Sequence, residues 1–187
     1  MHSKKVKSKS RRVLLWLLSF ILVAGPVLAA FYFGTHTHKT PDRQKMQGTV
    51  ALSEGELHGV VHSQNLVVFW TGPISGDKYS LFVPKSGVAV VRYLPNGVGL
   101  SDATPKYRLV ATYAQTNAFS ITQAAGAQVG NLGFINIDGN SVFYVKTHPT
   151  NVYVGLKGRD FQVEIFDPGQ DQAVALALFK GQIQQIK

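Results

Sequence analysis

The 187-residue sequence contains no cysteine. That excludes a disulfide framework, a Cys-ligated zinc or iron–sulfur site, a lipid anchor through cysteine and a thiol nucleophile. Whatever folds here is held by its core alone. Nor does any asparagine begin an Asn-x-Ser/Thr sugar acceptor. An exported chain without disulfides or sugar acceptors fits a bacterial envelope better than a eukaryotic secretory setting. Charge is sparse as well, with 16% of residues charged against 45% apolar, a balance that argues against disorder.

Catalytic signatures are missing too. There is no G-x-S-x-G, Walker A or H-E-x-x-H sequence, and no glycine-rich turn lies between the strand and helix of a βαβ unit. The expectation is a chain without a cofactor, and a binding domain more than an enzyme.

The net charge of +9 suggests nucleic acid until it is located. Lys4, Lys5, Lys7, Lys9, Arg11 and Arg12 crowd the first twelve positions, where there is no acid. From Gly34 onward 13 basic residues face 10 acidic ones, leaving +3, an ordinary value for a soluble domain. The charge belongs to the tail, and no nucleic-acid partner is expected.

After the tail, residues 13–33 (VLLWLLSFILVAGPVLAAFYF) form an uncharged run of 21. A helix of about 20 apolar residues spans a bilayer's hydrocarbon core. Trp16 and Tyr32 sit near its ends, where aromatic side chains anchor at membrane interfaces. The basic residues before the run outnumber those just after it, so the positive-inside rule places the N-terminus in the cytoplasm and the bulk of the chain outside. A rival reading is a signal peptide whose apolar region ends at Gly25-Pro26 and is cut after Ala29, releasing a secreted domain. The run's continuation to Phe33 favours the uncleaved anchor. Residues 34–47 read as a polar stalk, in which His36 and His38 are expected to be solvated.

From residue 48 short runs rich in Val, Ile, Tyr and Phe alternate with Gly, Pro, Asn and Asp. The pattern predicts an all-β sandwich or barrel of about nine to eleven short strands. Strands are expected at 57–62, 66–70, 79–83, 88–94, 107–114, 118–122, 132–137, 142–146, 152–156 and 161–166, among others. Asp138-Gly139 marks a hairpin turn. One helix is expected near the end, over 168–180, capped by Asp167 with Pro168 at its first position. The tail 182–187 is expected to add an edge strand.

The best polar constellation is Glu54, Glu56, His58 and His62. On an extended strand their even numbering puts all four on one face, and carboxylates with imidazoles suit zinc or manganese. The same spacing also describes a solvated sheet face, the reading that Gly55 and Gly59 favour. Asp138, Asp160, Glu164, Asp167 and Asp171 are the acids a glycosidase-like site would draw on.

The sequence-based expectation for function is therefore a single-pass envelope protein. Its extracytoplasmic β domain binds a protein partner as subunit or accessory of an assembly. The alternatives are a β domain that binds a small ligand, glycan or metal, and an enzyme using the dispersed acids.

Overall fold

In the computed structural model the described residues are 50–84, 87–102 and 104–187. The basic tail, the apolar run 13–33 and the stalk 34–47 lie outside them. Among the described residues no helix is long and apolar enough to cross a membrane.

Most of the described chain is antiparallel sheet. The elements in order are α1 (Glu54–Ser63), β1 (Phe69–Trp70), β2 (Lys78–Phe82), β3 (Val88–Leu94), β4 (Leu109–Ala114), α2 (Ala118–Gly126), β5 (Asn131–Ile135), β6 (Ser141–Val145), β7 (Asn151–Gly155), β8 (Phe161–Phe166), α3 (Gln172–Leu178) and β9 (Gln184–Gln185). Seven strands form one sheet in the order β2-β3-β4-β8-β7-β6-β5, and β1 pairs with β9 in a second, two-stranded sheet. The chain makes the meander β2–β4, crosses by α2 to the far edge, and returns through β5–β8 to pair β8 with β4.

Strand alternation sorts side chains between two faces. One face carries the core: Val91, Val110, Val142, Val152, Val154, Val163 and Ile165 are buried there against Leu57 and Val61 of α1, Phe69 and Trp70 of β1, and Ala173 and Ala177 of α3. The opposite face is covered over β5–β8 by α2. Glycines make that contact possible. A methyl group on Gly155 would run into the Ala118 carbonyl oxygen, and one on Gly133 would lie 2.6 Å from the Gly126 Cα.

The β-rich reading holds, and the strands at 88–94 and 161–166 fall where the alternation places them. The expected second sheet is only β1–β9, supplemented by helices. Two expected strands are helices. At 57–62 the chain is α1, because Ser53 and Glu56 form a reciprocal capping box. Leu57 and Val61, four apart, supply its buried stripe. At 118–122 it is α2, with Ala118, Thr122 and Ala125 buried at helical spacing. The C-terminal helix is shorter than expected, because Asp167 does not cap it. The Asp167 carboxylate instead accepts hydrogen bonds from Arg108 Nε at 2.7 Å and the Gly169 amide at 2.8 Å. The turn at Asp138-Gly139 is present, with Gly139 at φ 80°, and the tail adds β9 as expected.

Candidate functional site

The four residues first considered for metal binding are not brought together. Because 54–63 is helical, Glu56 leaves the side shared by Glu54, His58 and His62. Its carboxylate is committed to the cap, accepting from the Ser53 amide at 2.7 Å and hydroxyl at 2.6 Å. Those bonds lower its pKa. The His58 ring packs edge-on to Trp70 and its Nδ1 lies 2.7 Å from the Lys187 carbonyl oxygen, which makes Nδ1 the donor. His62 is exposed. Among the described residues no three His, Asp or Glu side chains are placed to hold a metal ion.

Arg92 of β3 is buried, donates to the Leu100 and Asp102 carbonyl oxygens and lies over the Tyr107 ring; the buried carboxylates lie in two other places. On the face opposite the core, the Glu164 carboxylate accepts from the Tyr113 hydroxyl at 2.6 Å, Asn151 Nδ2 at 2.8 Å and the Tyr153 hydroxyl at 3.3 Å. Burial, then the Glu164 charge, push the Tyr113 hydroxyl well above the ordinary tyrosine pKa. On the core side, Arg108 pairs with Asp167 and stands over the Tyr93 ring. The Tyr93 hydroxyl meets Thr71 and donates to the Gly72 carbonyl; burial pushes its pKa up to about 12. Both arrangements tie strands and loops together through satisfied polar groups. Of the other acids, Asp138 accepts from the Gly181 amide and Asp160 from the Asn117 amide. These acids sit on different elements and do not converge on a cleft.

A surface depression of about 490 Å³ is lined by Glu54, Pro73, Ile74, Ser75, Gly76, Asp77 and Tyr79. The Tyr79 hydroxyl is already engaged by the Ile74 amide. Burial raises the Asp77 carboxyl above the usual aspartate value, against the pull of Arg108. The aromatic-lined cavity with convergent polar groups that a small-ligand site calls for does not describe this depression.

The two edges of the large sheet differ. Beyond β2 the edge is partly closed, since Leu52 and Tyr79 exchange backbone hydrogen bonds of 2.7 and 2.8 Å. It also carries the exposed Lys78, the kind of charge that discourages edge pairing. Beyond β5 the edge is open. The register with β6, together with the bonds Asn136 N to Asn140 O and Lys146 N to Gly130 O, fixes the ladder's phase. Even-numbered residues bond to β6, so the backbone groups of Gly133 and Ile135 point outward. They meet no backbone partner among the described residues.

The side chains around that edge are apolar and exposed. Leu132 is 38%, Ile135 49% and Ile137 63% exposed. Leu178 and Phe179 lie nearby at the end of α3, which is fastened to the hairpin by Asn136 Nδ2 on the Ala177 carbonyl and by the Gly181 amide on Asp138. From Asn131 to Ile137 (NLGFINI) there is no charge and no proline, so none of the usual guards of an edge strand is present. By sequence the run is an ordinary strand like its neighbours. Its lack of charge and proline is the available signal, but only the strand order shows that it is an edge. No protein-family model, no curated protein and no solved structure matches this chain, so the open β5 edge stands on its own geometry.

Proposed function

We propose that this chain is a single-pass envelope protein whose β-rich domain works by binding protein through the β5 edge, as a subunit or accessory of an envelope assembly. One observation carries the reading. A strand with outward-facing, unpaired backbone groups is flanked by exposed Leu132, Ile135, Ile137, Leu178 and Phe179, while the other sheet edge is partly closed. Main-chain hydrogen bonds supply affinity when a strand is added to such an edge, and the flanking side chains supply specificity. The uncharged run 13–33 behind six basic residues supports an anchor with the domain on the extracytoplasmic side. A stalk of only 14 residues, 34–47, keeps the domain near the bilayer and so near other proteins of that membrane.

A photo-crosslinking amino acid placed at Ile135 or Ile137 of the full chain in intact cells tests this. The expected result is a discrete adduct at both positions and none at Val83, which lies on the β2 side. Recovery of uncrosslinked monomer at all three positions would falsify the proposal.

A further inference from the structure

We infer that the β5 edge is built to pair with a second copy of itself across a two-fold axis at Phe134, joining two seven-stranded sheets edge to edge. This rests on the reading above that the β5 edge is the docking surface, and adds the identity of its occupant. The strand's own hydrogen-bond phase carries it. Gly133 and Ile135 present amides and carbonyls outward, one residue either side of Phe134. Rotation by 180° about Phe134 sets Gly133 of one copy opposite Ile135 of the other, and each such pair exchanges both of its hydrogen bonds.

Side chains agree with this register. Gly133 sets no side chain of its own beside the other copy's Ile135, which then lies against the α2 backbone at Gly126, and the two partly buried Phe134 rings meet on the core face of the joined sheet. Charge agrees as well. The run Asn131 to Ile137 carries none, so two copies meet without like-charge repulsion, which directly opposed charges in a strand pair would impose. The exposed Ile137 and Phe179 of each copy flank the junction and lose water when it forms.

The absence of native cysteine makes the test direct. Single Phe134→Cys and Ile135→Cys substitutions in the full chain, oxidised in native membranes, report on register. At the two-fold axis the thiols of two Phe134→Cys chains sit in a non-hydrogen-bonded pair within disulfide reach. The thiols of two Ile135→Cys chains are offset along the strands, beyond the limit of about 7 Å between Cα atoms. The expected yield of disulfide-linked dimer is roughly tenfold higher for Phe134→Cys than for Ile135→Cys.

Phe134 also packs on the core, so a second variant is needed. Ile135→Lys at an exposed position should abolish the Phe134→Cys dimer without changing the melting temperature of its parent. Equal yields from the two cysteine variants, or a dimer that survives Ile135→Lys, would overturn the register. Absence of any dimer while Ile135 still crosslinks to a different protein would overturn self-pairing and leave the docking edge standing. Absence of both would overturn the two together.

Discussion

Glu164 is the least exposed carboxylate in the described domain and is held by donors from β4 and β7. Hydrogen bonds to a charged group contribute about 1.5–3 kcal/mol each, so Tyr113→Phe should lower stability by that order. Urea unfolding at neutral pH measures it. The tyrosines also make the domain sensitive to alkali. Tyr93 and Tyr113 have folded-state pKa values above the unfolded value of 10.0, that of Tyr93 reaching about 12. The stabilisation they give is complete below pH 10 and is lost as the pH rises toward 12. Melting temperature should therefore fall between pH 10 and 12, and the fall should be smaller in Tyr93→Phe, which has no proton to lose. A flat profile over that window would contradict the burial assigned to these hydroxyls. None of this is legible in the sequence. It shows five acids near the C-terminus, but only the β4–β8 register places Tyr113 beside Glu164 and frees Asp167 for Arg108.

Among the elements, the helices are the least legible. EGELHGVVHS has two glycines and two valines, which depress helix propensity and invite a strand reading. The decisive signal is local, Ser53 followed three residues later by Glu56, and the even spacing of the Glu and His residues masks it. The same masking creates the metal hypothesis, since four even-numbered residues share a face only on a strand. α2 is obscured by its β-branched Ile121 and Thr122, and its packing depends on Gly126, Gly133 and Gly155, whose roles appear only once strand and helix meet. Runs of β-forming residues set between turn formers, β3 between Gly87 and Pro95 and β8 between Asp160 and Asp167-Pro168, are legible to the residue.

Two substitutions separate these causes. Ser53→Ala removes one cap and should cost about 1 kcal/mol. Gly155→Ala drives a methyl into the α2 backbone and should cost about 3 kcal/mol or more, as overpacking against rigid neighbours does. Chemical denaturation of both variants checks the order, and an equal cost would mean that α2 is free to shift.

At the scale of the whole molecule, the proposed anchor and the proposed edge depend on each other. Two short strands joined edge to edge bury far less than the roughly 1,200 Å² of a stable interface, so the free domain should associate weakly. Tethering to a membrane raises the effective concentration of neighbours and can make such a contact sufficient. Sidedness has its own test. Replacing Lys4, Lys5, Lys7, Lys9, Arg11 and Arg12 with neutral residues should leave a fraction of the chains with the β domain in the cytoplasm, protected from external protease. Unchanged protease access would mean that orientation is set elsewhere.

Occupancy of the edge is read most directly by amide hydrogen exchange at Gly133 and Ile135 in the full chain, reconstituted in lipid as the proposed anchor requires. Leu132 and Phe134 bond to β6 and should exchange slowly in any state. Gly133 and Ile135 should be protected to a similar degree in the native chain and exchange fast after Ile135→Lys. Fast exchange at both positions in the native chain, unchanged by the substitution, would show that nothing docks on the β5 edge.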